Sequence, residues 1–349
     1  MINSLNNKQI EQTNCFDFLR FFLASQIVLY HLAVLSQNES LSFLGRMFNA
    51  NLAVKGFFII SGFLVAKSYV NTATLKMYFI KRVKRILPAY LFVVFFAAIA
   101  LFFASNLSFS NYFLNIDFYK YIGWNSIFMN FMHPCLPNVF NNNLMCAVNG
   151  SLWTLKVEEG FYLFLPLIFL IIFKVKRALL VLVVLYLLSF LYWYLFDFHF
   201  NKPLLAKQFP GYLSYFCSGI FLFLYYEKLF QRKWLYLCFA VLAMLLTYKI
   251  NVTLNIFYPI SLGVIIIVSA YSIPILNNFG RYGDFTYGLY IYHFPIIQIF
   301  KQYDLFEKYN PFLMGFFVLV LTFIFAIFSW FFVEKRFLAR YQKSHLNAS

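Results

Sequence analysis

An all-α, polytopic integral membrane protein is the fold class this sequence predicts, on three observations. The chain of 349 residues is 62% hydrophobic, with a mean hydropathy of +0.73 and only 11% charged residues. A water-soluble domain carries about a quarter of its residues as charges. Apolar runs long enough to cross ~30 Å of hydrocarbon recur from end to end. Lys and Arg are shared unevenly among the connections, the bias that sets membrane orientation. The formal charge of +16 would suggest nucleic acid only for a soluble chain. Here it reads as loop charge beside an anionic leaflet of the lipid bilayer, and no nucleic-acid partner is expected. No repeat, linker or soluble appendage interrupts the pattern, so a single domain over 1–349 is expected.

Ten apolar segments are expected to span, at about 16–36, 50–70, 86–105, 152–172, 178–197, 209–226, 234–248, 255–273, 284–300 and 311–333. Residues 1–15 are polar and Arg20 breaks the apolar run behind them, so the first segment reads as its own uncleaved insertion signal. With the N-terminus inside, the inner side holds Lys8, Arg20, Lys67, Lys76, Lys81, Arg82, Lys84, Arg85, Lys174, Lys176, Arg177, Lys228, Arg232, Lys233 and Arg281. A short tail at about 334–349 adds Lys335, Arg336, Arg340 and Lys343. Fewer cations fall outside or in outer helix halves, among them Arg46, Lys55, Lys120, Lys156, Lys202 and Lys207. Both termini are therefore expected to be cytoplasmic.

The largest outer loop is expected at about 106–151, with YIGWNSIFMNFM as a short interfacial helix. Cys135 and Cys146 lie in it and face an oxidising compartment, which favours a disulfide over two free thiols. No His/Cys cluster surrounds them to make a zinc site, and no metal is expected. Cys15, Cys217 and Cys238 lie in or beside helices, where packing is the plainer role.

The first segment, FDFLRFFLASQIVLYHL, carries Arg20 and His31. Eleven steps of a helix bring His31 to within about 20° of the Arg20 face, ~16 Å further along the axis. A histidine at that depth marks a functional site by default, with packing glue between helices as the other reading. The second segment has Gly56, Ser61 and Gly62, which permit close helix approach; Ser61 is a weak candidate nucleophile, because no base is evident nearby. TLKMYFIKRVKRILPAY reads either as an interfacial anchor or as a phosphate site. In the latter, Arg82 and Arg85 share one side of a turn and fork onto phosphate oxygens, with Arg20 joining from the same membrane face.

NGSLWTLKVEEGFYLFLP opens the fourth segment with Asn149 and Ser151 as entry-turn residues. Glu158 and Glu159 follow at ~10–12 Å depth, either as a structural ion pair or as a carboxylate that orients a histidine. RYGDFTYGLYIYHFP in the ninth segment puts Thr286, Tyr290 and His293 within about 60° of one another. That stripe must face protein, as glue or as site lining.

These elements, in this order, resemble the membrane-bound acyltransferase family 3. Arg20 and His31 match the family's arginine, ten residues, histidine pattern, and FFIISGFL its second-helix signature. KRVKRILPAY matches its Arg-x-x-Arg element, CLPNVFNNNLMCAVNGSLWTLKVEEGFY its fourth-helix entrance, and YGLYIYHFP its late Tyr/His element. Some members carry a fused extracytoplasmic esterase-like domain; this chain is expected to be the stand-alone form. The resemblance implies a bacterial inner-membrane enzyme that moves an acetyl group from cytoplasmic acetyl-CoA to a hydroxyl of a surface glycan such as lipopolysaccharide or capsule. Arg20, Arg82 and Arg85 would hold the CoA phosphates. His31 would act as base, with Glu158 setting its tautomer and Tyr290 or His293 donating to the oxyanion. An acyl-histidine intermediate remains a variant. The rival reading is a proton-coupled transporter of a sugar or lipid-linked glycan, against which stand the absence of an inverted repeat and the arginine cluster. An inactive scaffold is disfavoured by the intact set of residues.

Overall fold

In hydrocarbon a backbone satisfies its own polar groups only as a helix or a closed barrel. Every regular element among the described residues of this protein is helical. The structure, a computed structural model, describes residues 13–249 and 256–338. Lys8, Arg340, Lys343 and most of the expected tail lie outside the described residues.

A helix stands at each of the ten expected segments. They are α1 (Phe16–Ser36), α2 (Ala50–Val70), α3 (Leu75–Ala100), α4 (Trp153–Val175), α5 (Ala178–Tyr194), α6 (Phe209–Leu224), α7 (Lys233–Lys249), α8 (Tyr258–Ser272), α9 (Thr286–Gln302) and α10 (Pro311–Ser329). The expected start of the eighth at 255 lies outside the described residues. Five helical stretches are long and apolar enough to cross a bilayer: Phe16–Ser36, Glu39–Val70, Leu75–Ala104, Ala178–His199 and Pro311–Phe337. Tyr258–Ser272 with Pro274–Tyr282, bent by 76°, makes a sixth if the pair is one span. The protein is thus an integral membrane protein of helical class. The other helices are shorter, or carry charge inside the run as α4 does at Lys156, Glu158 and Glu159.

The third segment is corrected. It starts at Leu75 rather than 86, because the basic stretch is itself the first turns of α3. The Thr74 hydroxyl caps it by accepting from the Met77 N–H at 3.2 Å. Lys81 and Lys84 are exposed while Arg82 and Arg85 are half-buried, so the amphipathic face and the span form one helix. In the 106–151 loop the longest helix is Ile116–Ser126, earlier than the expected YIGWNSIFMNFM; residues 127–132 are not helical. Asn115 starts the helix by accepting from the Asp117 N–H at 2.9 Å.

The chain gathers into two compact units whose boundaries fall inside helices. The described parts of Met1–Arg20, Val54–Phe79 and Val157–Arg281 form one. There α2 and α6 touch backbone to backbone: a Cβ on Gly62 would strike the Phe216 carbonyl, and one on Gly219 the Ile59 carbonyl. This is the small-residue packing that membrane helices use in place of a hydrophobic driving force. The other unit comprises Phe21–Ala53, Ile80–Lys156 and the described part of Tyr282–Ser349. Its centre is α9 against α10, with Gly288 on the Ala326 backbone. The loop from 134 to 149 is fastened to α9 by two glutamines. Gln298 donates to the Met145 and Ala147 carbonyls at 2.7 and 2.9 Å, and Gln302 accepts from the Phe140 N–H at 2.9 Å. A Cys135–Cys146 disulfide, with Cα atoms 5.3 Å apart, closes the same loop.

Candidate active site

Two of the residues expected at the site meet directly. His31 Nδ1 and His293 Nε2 are 2.8 Å apart, and the two rings are parallel to within 8°. His293 is fully buried, whereas His31 is half-buried. His293 Nδ1 lies 3.0 Å from the Leu289 carbonyl one turn back. A carbonyl only accepts, so that nitrogen carries the proton. For neutral rings the order then propagates: His293 Nε2 is bare, and His31 Nδ1 donates to it. His31 Nε2 is left without a proton, as the basic nitrogen of the pair.

The scaffold under this pair follows from one proline. Pro295 sits inside α9 and lacks the N–H that would bond the carbonyl four residues back, that of Ile291. The Asn149 side-chain amide donates to that freed carbonyl at 2.7 Å. Asn149 Oδ1 in turn accepts from the Ser151 hydroxyl at 2.6 Å and the Ser151 N–H at 3.3 Å, shaping the turn into α4. Tyr290 donates its hydroxyl to the Ser151 carbonyl at 2.7 Å and lies against the Thr154 hydroxyl. This bond fastens α9 to the α4 entrance. Phe294 sets its ring edge-on to His31, with centroids 5.4 Å apart. The ring fits only because Gly150 has no side chain; a Cβ there would lie 2.6 Å from the ring.

Glu158, in the other unit, uses a parallel device. Pro166 inside α4 frees the Tyr162 carbonyl, and the Tyr78 hydroxyl donates to it at 2.9 Å. The Tyr162 hydroxyl then donates to Glu158 Oε1, and so does Ser61 Oγ at 3.2 Å. Ser61 therefore has a carboxylate partner that its local sequence does not reveal.

Arg20 and Arg85 are engaged by carboxylates. Arg20 donates to Asp17 Oδ1, one turn earlier on α1. Arg85 donates to the buried Asp284 at 2.7 Å and lies 4.0 Å from the buried Glu334, itself held by the Ser329 hydroxyl at 3.0 Å. Sequence reasoning passed over Asp17, Asp284 and Glu334. Asp17 was open to it, because Asp and Arg three apart on a helix are neighbours. Asp284 and Glu334 are far from Arg85 in sequence and carried no local signal. No group of three or more metal-ligating side chains occurs among the described residues.

A helical membrane protein with a paired-imidazole site of this kind has acyl transfer within its chemistry, and comparison with known proteins gives the class. The chain belongs to the acyltransferase 3 family, whose acyltransferase-domain profile matches residues 13–331. It is 27% identical to the O-acetyl transferase of Shigella phage Sf6 over 343 residues, 95% of this chain and 98% of that protein. It is 27% identical to nodulation protein 10 of Rhizobium leguminosarum bv. viciae over 313 residues, 82% of this chain and 83% of the relative. A putative acetyltransferase of Acidianus two-tailed virus matches at 27% over 292 residues, 79% of this chain and 80% of that one. No solved structure is matched. The family is one of acyl transfer, which favours that chemistry over the transporter reading.

Proposed function

We propose that the protein is a membrane O-acetyltransferase that moves an acetyl group from cytoplasmic acetyl-CoA to a hydroxyl of an extracytoplasmic surface glycan. In this reading ten helices span a bacterial inner membrane, with both termini cytoplasmic. The observation that carries it is the contact of His31 Nδ1 with His293 Nε2 at 2.8 Å, with His293 Nδ1 on the Leu289 carbonyl; for neutral rings this leaves a bare nitrogen on His31. His31 Nε2 takes the proton of the acceptor hydroxyl as its oxygen attacks the thioester carbonyl. The C–O bond forms, the C–S bond breaks, and the CoA sulfur leaves with the proton returned from His31. His293 replaces Glu158 as the residue that sets the His31 tautomer. Glu158, held by Ser61 and Tyr162, stays a candidate catalytic carboxylate of its own unit.

Arg20, Arg82 and Arg85 are the proposed contacts for the CoA phosphates. Arg85 enters shared between Asp284 and Glu334, and Arg20 bonded to Asp17, so a phosphate at either must compete with a carboxylate. Arg20→Ala should therefore weaken CoA binding by ~1.5–3 kcal/mol, and excess acetyl-CoA should partly restore turnover. Mass spectrometry of surface glycans with and without the gene tests the reading as a whole. It predicts the loss of an acetyl mass from one sugar; unchanged glycans would contradict it.

A further inference from the structure

Lys55 is a cation that the reaction above does not use. It lies near the first turn of α2, at the end of that helix away from Lys67. Its Nζ is 4.9 Å from the centre of the Tyr258 ring and 5.4 Å from that of Tyr215. Those rings are 6.4 Å apart, and Tyr212 adjoins Tyr215 at 5.9 Å. The three form one aromatic wall built from α6 and α8. All of these residues belong to the same compact unit. Lys55 is half-buried, yet it enters no ion pair among the described residues. Asp197 and Lys207 act on its charge with opposite signs, and neither lies within ion-pair distance of it.

Ring faces compensate a cation only partly. The chain direction places the site at one membrane face. It lies near the first turns of α2, α6 and α8, and Asp197 just follows the last turn of α5. The basic groups Lys174, Lys176, Arg177, Lys228, Arg232 and Lys233 are at the opposite ends of this unit's helices. By the positive-inside rule the Lys55 end is the outer one, the side from which the acceptor arrives.

We propose that Lys55 and the Tyr212–Tyr215–Tyr258 wall form an acceptor subsite that takes an anionic oxygen group, a carboxylate or phosphate ester, borne by the glycan. The ammonium meets the anion as a point charge, and the half-buried Tyr258 ring receives the C–H face of the sugar, with the buried Tyr215 and Tyr212 backing it. The proposal rests on the transferase reading for its acceptor, but its test does not need turnover.

The test is equilibrium binding of two labelled oligosaccharides to the full-length protein in nanodiscs of zwitterionic lipid. The two differ only in a uronic acid carboxylate that is a neutral hydroxymethyl group in the other. Lys55→Met keeps the stem and removes the charge, and Lys55→Arg restores a cation. The uronic acid oligosaccharide should bind wild type at least tenfold more tightly than its neutral twin. Lys55→Met should abolish that preference and Lys55→Arg recover most of it. Acetyl-CoA hydrolysis without acceptor, measured in parallel, should be the same in all three proteins. Equal binding of the two sugars by wild type, or equal weakening of both by Lys55→Met, would overturn the subsite. So would a preference that vanishes when anionic phospholipid is added at modest fraction, which would assign Lys55 to a lipid headgroup. Failure of acetyl-CoA hydrolysis in wild type with the binding preference intact would count against the transferase reading and leave the subsite standing.

Discussion

Helices α4 and α9 share a device and differ in what it encloses. In each, a proline frees the carbonyl four residues back, and a side chain from elsewhere in the same unit fills it: Tyr78 on Tyr162 in α4, Asn149 on Ile291 in α9. On α9 the device supports a histidine that is fully buried, with one nitrogen on a carbonyl and the other on His31. On α4 it supports a half-buried carboxylate whose Oε1 accepts two hydroxyl protons. The difference separates two jobs. A group whose every polar atom is assigned fixes a proton order, whereas a hydroxyl-ringed carboxylate supplies charge and tolerates exchange of its donors.

The largest effects should come from the histidine pair. His31→Ala should lower acetyl transfer by a factor on the order of 10² or more while the protein stays folded. His293→Leu should lower it nearly as far, because His31 Nδ1–H loses its acceptor. His293→Gln keeps an oxygen for that proton and should recover part of the rate. Turnover of acetyl-CoA in detergent, read beside thermal unfolding, checks all three; a folded His293→Leu enzyme near the wild-type rate would erase the distinction between the two helices.

Smaller losses are expected on α4. Glu158→Gln should cost about tenfold in rate, ~1.4 kcal/mol, because the amide oxygen still accepts the hydroxyls of Ser61 and Tyr162 while the charge is gone. Tyr162→Phe should cost less than that. Steady-state kinetics would reverse the ranking of the two regions if Glu158→Gln fell further than His293→Leu.

The smallest effects concern stability and probe the shared device itself. Asn149→Ala leaves the Ile291 carbonyl unfilled and should destabilise by ~1–3 kcal/mol. Pro295→Ala returns a backbone N–H to that carbonyl, so the cost of Asn149→Ala should shrink in its presence. Tyr78→Phe with Pro166→Ala should behave alike on α4. Additive effects in these double-mutant cycles would mean that the prolines and their fillers are unrelated.

Hydropathy alone located the ten helices, because apolar length is a local property. It placed the start of α3 too late, since a basic amphipathic stretch and a span look different in composition but join without a break in geometry. The polar partners divide the same way. Asp17 could be paired with Arg20 from helical spacing, and a carbonyl four residues before Pro166 or Pro295 could be marked as needing a donor. Which donor arrives is a matter of tertiary packing: Asn149 and Ile291, or His31 and His293, are brought together across most of the chain. For that reason charge alone points to Glu158 for the tautomer role, whereas the contact of His31 Nδ1 with His293 Nε2 at 2.8 Å carries no signal in the sequence.

Nitrogen NMR of the histidine-labelled protein in bilayers, with His31 and His293 assigned by their single variants, tests the proton order most directly. Protonated and bare imidazole nitrogens resonate far apart, so the state of each atom is read without reference to activity. The account predicts a proton on His31 Nδ1 and on His293 Nδ1 at neutral pH, with both Nε2 atoms bare. A proton on His31 Nε2 would contradict it, because the base proposed to receive the acceptor's proton would already be occupied.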